Sequence, residues 1–252
     1  SAVTQHLGFL NYRDEYKVMG MSSYGEDKYT KNLKKIISFK DDGSLKLKLK
    51  YFKHHKKNYF EIEDNLVKIN ELFSKNIEDI LGPKRNAQDE ILQRHFDLAY
   101  SLQKLYEEYM INLIKFLKNK YAQQTNICLA GGCINNSLAN GKISNSNIFK
   151  NVYIGASPGD SGGAIGAAIN ASNFLDYSFN GFSGSEFSNK QIQKYISENL
   201  IFLKKNKIEF LYLTEDKLID KTVEKLLENK VIGWFSGRME FGPRALGNRS
   251  II

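Results

Sequence analysis

The chain has 252 residues, an ordinary apolar fraction of 42%, and a net charge of +8 with three prolines and two cysteines. That is enough for one large core or two smaller ones, and it excludes collagenous, disordered and disulfide-framed classes. The longest apolar runs, such as 152–156, are far too short to cross a bilayer, and the first residues, SAVTQHLGFLNYRDEYK, lack the basic start and apolar run of a signal peptide.

In chain order, KIISF leads to the turn Asp41-Asp42-Gly43 and then to LKLKLKY at 45–51, whose alternation predicts a half-exposed strand and a hairpin. Residues 54–73 give no clear pattern, and 82–90 read as a loop. From Gln88 to Lys120 helical spacing aligns Leu98, Leu102, Leu105, Tyr109, Leu113 and Phe116, with Glu107 and Glu108 on the other side. A buried strand at 126–130 ends in Gly131-Gly132, and a second follows at 151–156. Ser157-Pro158-Gly159 then turns into a helix rich in glycine and alanine. Composition shifts to Gly, Ser, Asn and Phe after residue 172, which places a boundary near 176–187. Beyond it come a helix at 188–199 with Ser188 as N-cap, a strand at 208–213, a helix at 215–229 and a strand at 231–235. This alternation predicts an α/β architecture.

The positive charge is spread over surface-like positions, with short clusters such as KHHKK, so a solvated face explains it more simply than a nucleic-acid partner. A balance of this sign also suits phosphorylated ligands. Cys128 and Cys133 read as reduced, partly buried thiols, because no further Cys or His stands near enough for a zinc site.

Three stretches suggest chemistry. Gly131-Gly132 lets a ligand approach the main chain, with Asn135, Asn136 and Asn140 offering donors and acceptors; a tight strand–helix connection without a ligand explains the same residues. Asp160 opens a helix, where it serves as an N-cap or holds a metal. GRMEFGPRALGNRS at 237–250 places Arg238, Arg244 and Arg249 among glycines, which suits a phosphate-binding loop better than a plain surface loop, since so many arginines and glycines serve little packing purpose; Glu240 is available to orient one arginine by an ion pair.

Four motifs in order, EYKVMGMSSYGE at 15–26, LAGGCINNSLANGKI at 129–143, SPGDSGGAIGAA at 157–168 and GWFSGRMEFGPRALGNRSI at 233–251, together with DLAYSLQ at 97–103, resemble the O-carbamoyltransferases of the NodU/CmcH type. The similarity runs over nearly the whole chain and is weakest at 39–81. It implies the second lobe of an actin-like ATPase (ribonuclease H-like) fold over 1–176, a linker at 177–187, and the beginning of a YrdC-like domain over 188–252. It implies that ATP and carbamoyl phosphate form carbamoyl-adenylate, and that the carbamoyl group passes to a hydroxyl of a small acceptor; the reduced thiols, short apolar runs and dispersed charge point separately to a cytoplasmic protein with no membrane or nucleic-acid partner. By the same resemblance Lys17, Gly20, Gly25, Gly131, Gly132 and Asn136 match nucleotide-side motifs, with Asn136 reading the adenylate. Asp160 matches a ligand of the family's Fe²⁺ site, and Arg238, Glu240, Arg244 and Arg249 match the opening of the YrdC-like part. The family's H-x-x-x-H pair has no counterpart among His6, His54, His55 and His95. The expectation is therefore a fragment of an O-carbamoyltransferase that is inactive in isolation. The alternative is an actin-like nucleotide-binding module without catalysis.

Overall fold

The computed structural model describes residues 1–11, 13–56, 58–63, 66–172 and 180–252. They form two compact units, one comprising Ser1–Cys128 and Asn136–Tyr153, the other Leu129–Asn135 and Ile154–Ile252. The expected boundary at 176–187 falls partly on residues 173–179, which lie outside the described residues.

The first unit opens with α1 (Ala2–His6), α2 (Glu15–Met21) and α3 (Thr30–Leu33). Strands β1 (Ile37–Phe39) and β2 (Leu45–Leu47) pair antiparallel across the predicted Asp41-Asp42-Gly43 turn, which is fixed by the Ser44 amide donating to Asp42 Oδ1 at 2.8 Å. The alternating run does not continue as strand: Leu49–Tyr51 coils into a 3₁₀ turn that buries Tyr51. Residues 54–73, silent in the sequence, contain a second antiparallel hairpin, β3 (Phe60–Glu63) with β4 (Leu66–Ile69). Helix α4 (Glu78–Leu81) and a loop lead to α5 (Gln93–Lys120), which starts five residues later than the spacing predicts.

Helix α5 organises this unit. Leu98, Ala99 and Leu105 join Leu7, Val18, Met21, Leu33, Ile36, Phe73, Ile77 and Leu81 in one buried apolar cluster. Further along, Phe39 stacks on Tyr109 at 4.6 Å between ring centroids, and the Tyr109 hydroxyl donates to Gly43 O at 3.0 Å, seating the first hairpin on the helix. The Leu92 amide ahead of α5 donates to His95 Nδ1 at 2.8 Å. Glu107, expected on the solvent side, is buried: it pairs with Lys142 and accepts from Gln103 Nε2 at 2.8 Å.

Strands β5 (Asn126–Leu129) and β6 (Asn151–Ile154) pair with each other, and α6 (Ser137–Asn145) lies between them in sequence. Both strands were expected to be buried. They are instead half exposed with alternating cover, Tyr153 being 62% exposed, because a two-stranded sheet leaves one face open. Cys128 and Cys133 are accordingly exposed rather than partly buried, and no disulfide joins them.

The second unit contains α7 (Asp160–Ser172), α8 (Asn189–Glu198), α9 (Leu200–Lys205), α10 (Glu215–Leu227) and the antiparallel pair β7 (Gly233–Phe235) and β8 (Arg249–Ile251). Ser188 caps α8 as predicted, its Oγ accepting from the Gln191 amide while Gln191 Oε1 accepts from the Ser188 amide. The strand expected at 208–213 does not form. Its side chains at Leu211 and Tyr212 are 68% and 77% exposed, and no described strand runs beside it to complete its ladder. Among the described residues no helix is long and apolar enough to cross a membrane.

Candidate functional site

The structure separates the sequence-matched residues into those that hold the first unit together and those that converge in the second. Gly25 belongs to the first group. A Cβ there would lie 2.0 Å from the Phe96 carbonyl oxygen, so the residue is glycine because helix α5 passes directly beside it. The adjoining segment is latched to the same helix by polar side chains. Asp97 accepts from the Glu26 amide at 3.0 Å and pairs with Lys28 at 3.0 Å, while Ser101 Oγ accepts from the Lys28 and Tyr29 amides at 3.2 and 2.9 Å. Burial pushes the Asp97 carboxyl up, but Gln93, Lys28 and the Glu26 amide outweigh it and hold the group below the usual carboxylate range. These contacts give the DLAYSLQ and SSYGE motifs a packing role.

Lys17 on α2 pairs with Asp14 at 2.8 Å, a hydrogen bond that raises its pKa, and lies 5.5 Å from the Phe9 ring centroid. Gly20 is exposed, with no atom within 4 Å of where a Cβ would stand. Asn136 is the N-cap of α6: its Oδ1 accepts from the Ala139 amide at 3.0 Å and from Gln103 Nε2 at 3.0 Å, and its Nδ2 donates to Gln103 Oε1 at 2.7 Å. The side chain expected to read an adenylate is thus held by the helix it starts and by α5. An Asn directly ahead of a short helical run was the available signal for a cap.

In the second unit three segments distant in sequence come together: the Gly131-Gly132 turn, the turn before α7, and the arginine loop. Gly131, at φ +111°, donates its amide to Pro158 O at 2.7 Å, and no atom lies within 4 Å of the Cβ position of either Gly131 or Gly132. Gly159 approaches Asn135, whose Nδ2 would stand 3.4 Å from an added Cβ. Asn135 Nδ2 donates to Gly132 O at 3.1 Å, and its Oδ1 is buried with no hydrogen-bond partner among the described residues. Arg244 Nη2 donates to Asn135 O, which brings the arginine loop to the glycine turn. Gly242, at φ +112°, lies against the turn before α7, where a Cβ would come 2.5 Å from Ser157 Oγ. Ser157 and Ser161 hydroxyls share a 2.5 Å hydrogen bond inside that turn.

The arginines do not all point to one place. Arg238 pairs with Glu186 at 3.2 Å on the surface. Arg249 Nη2 donates to Gly242 O at 3.1 Å and to Arg244 O at 3.5 Å. Glu240, expected to orient an arginine, directs its hydrogen bonds to the backbone instead. It is 1% exposed, and its Oε1 accepts from the amides of Leu246, Asn248 and Arg249 at 2.6, 3.0 and 3.3 Å. Burial pushes this carboxyl up, but its own amide and those three outweigh it and hold the pKa at about 2.

Asp160 is the first residue of α7 and is exposed. Among the described residues no group of three His, Cys, Asp or Glu side chains could hold a metal ion, so the residues present do not fit the iron site the resemblance implies.

The family model described as Carbamoyltransferase N-terminus matches residues 1–169, and that described as Carbamoyltransferase C-terminus matches residues 223–252. The chain is 35% identical to the uncharacterized protein sll1178 of Synechocystis, covering all of this chain and 40% of that protein. It is 33% identical to the uncharacterized protein MJ1051 of Methanocaldococcus jannaschii, covering all of this chain and 44% of the relative. It is 28% identical to the nodulation protein NolO of Bradyrhizobium diazoefficiens over 95% of this chain and 40% of NolO. The chain therefore spans less than half the length of these relatives, and with both family models matched it belongs to the carbamoyltransferase family.

Proposed function

We propose that this chain supplies part of an O-carbamoyltransferase that uses carbamoyl phosphate and ATP to carbamoylate a hydroxyl of a sugar or other small acceptor. The observation that carries this reading is the meeting of the glycine turn and the arginine loop in one unit, through Arg244 and Asn135. Both features suit phosphate-bearing ligands: an open glycine turn admits one to the backbone, and an arginine fork matches its oxygens.

The reaction balances in three steps. Water releases phosphate from carbamoyl phosphate to give carbamate. A carbamate oxygen displaces diphosphate from ATP to give carbamoyl-adenylate. The acceptor hydroxyl then attacks the carbonyl, loses its proton, and expels AMP. The residues present here are assigned to binding. Gly131 and Gly132 admit the nucleotide, and Arg244 binds the phosphate of carbamoyl phosphate, while Arg238 is held in its surface pair with Glu186. The iron site does not fit the described residues, so no step is routed through it. The finer fold reading is an actin-like lobe over residues 1–176 and the opening of a YrdC-like domain from 188, in a cytoplasmic protein.

The test is steady-state kinetics on the complete gene product with a panel of sugars, varying carbamoyl phosphate at saturating ATP. Arg244→Lys keeps the charge but loses the fork, and kcat/KM for carbamoyl phosphate should fall at least about tenfold, the scale of one charge-assisted hydrogen bond. Absence of any carbamate ester in the wild type, or an unchanged kcat/KM in the variant, contradicts the reading.

A further inference from the structure

The second unit holds a buried carboxylate whose hydrogen-bond partners among the described residues include no side-chain cation. Glu240 is 1% exposed, its Oε1 gathers the amides of Leu246, Asn248 and Arg249, and its Oε2 has no hydrogen-bond partner among the described residues. Burying an ionised carboxylate is costly, and short charge-assisted bonds to backbone amides are what offset it. A residue kept at such a cost fixes a shape. On the carbonyl side of the same loop, Arg249 Nη2 lies 3.1 Å from Gly242 O and 3.5 Å from Arg244 O. Gly242 and Gly247, at φ +112° and +110°, supply the reversals that let both sets of groups point inward.

We propose that Glu240 and Arg249 are positioning residues, a two-sided backbone clamp that closes segment 242–249 on itself and delivers Arg244 to the glycine turn at Asn135. The arginine motif is thereby divided by role. Arg249 is spent on the loop's own carbonyls and Arg238 on a surface pair with Glu186, which leaves Arg244 to face the phosphorylated ligand. Glu240 collects the loop's amides as a bound anion would, and this internal occupant leaves the external anion to the arginine side chains. The clamp's ligand side rests on the reading given above for carbamoyl phosphate.

Two readouts test it, on the complete gene product. The first is amide hydrogen exchange in wild type, Glu240→Gln, Glu240→Asp and Arg249→Lys. Glu240→Gln should speed exchange at Leu246, Asn248 and Arg249 by at least about tenfold, the scale of one charge-assisted hydrogen bond, while α5 keeps its protection. The second is the KM for carbamoyl phosphate, which should rise about tenfold in Glu240→Gln and Arg249→Lys with the KM for ATP unchanged, a split that general loss of folding does not produce. Glu240→Asp, which keeps the charge, should recover part of the loss. Unchanged exchange at the three amides overturns the clamp. Faster exchange with equal rises in both KM values overturns its positioning role. If the wild type neither binds nor turns over carbamoyl phosphate, the functional reading fails and the ligand side of the clamp with it, while the exchange data still decide whether Glu240 holds the loop.

Discussion

The two units are held together by different physics. In the first, one long helix gathers a continuous apolar cluster, and buried polar side chains such as Asp97 and Ser101 tie loops to it. In the second, helices α7, α8 and α10 bury no residue, and Ile201, Leu227 and Val231 are 87%, 80% and 79% exposed. Its segments are joined mainly through backbone groups: Phe241 to Gly181, Met239 to Ser185 and Gly184, Ser236 to Asn248, and Gly131 to Pro158. A core of packed side chains resists substitution by volume, whereas a web of loop hydrogen bonds resists it by satisfied donors and acceptors. The candidate site is built on the second kind of scaffold.

The largest effect that should expose this contrast is Gly25→Ala. With a backbone oxygen 2.0 Å from the new Cβ and that oxygen inside a rigid helix, the first unit must open, at a cost of about 3 kcal/mol or more by overpacking. Urea unfolding of the first unit checks it, and an unchanged midpoint would mean that the segment is not seated on α5. Next comes acid. Burial lowers the His95 pKa to about 4, with Arg94 and Arg85 adding to it. Below the unfolded value near 6.5 the unfolded chain takes up a proton that the folded chain resists, so stability is complete above that value and is lost as pH falls towards 4. The loss should reach about 2 kcal/mol after allowing for relaxation of the site, and His95→Gln should flatten the profile between those limits. Smaller again is Ser188→Ala in the second unit, where loss of a helix cap should cost about 1 kcal/mol and melt α8 locally without moving the first unit's midpoint. A shift of both units together would erase the comparison.

The sequence made the first unit's long helix and first hairpin legible, because one shows sustained helical spacing and the other a turn between alternating residues. It missed the second hairpin, whose strands are short and whose exposed Ile62 and Val67 give no buried face to read. It overextended at 208–213, where a short apolar run is present but no neighbouring strand among the described residues completes it. At the site, the motifs themselves were legible, but their division of labour was not. Asn136 and Asn135 are adjacent and identical in type, yet one caps α6 and the other lies in the glycine turn. Glu240 looked like an arginine's partner because its charge is visible in sequence, while the amides that bind it are not.

The proposed function requires the glycine turn and the arginine loop to form one ligand-binding site. Amide chemical shifts of the isotope-labelled protein, followed through a titration with carbamoyl phosphate and then with AMP, test it most directly. We predict that carbamoyl phosphate, seated by Arg244 beside the glycine turn that admits the nucleotide, perturbs Gly131, Gly132 and Asn135 together with Arg244–Arg249, along curves sharing one Kd. Perturbation of only one stretch, or two curves with unrelated Kd values, would contradict it.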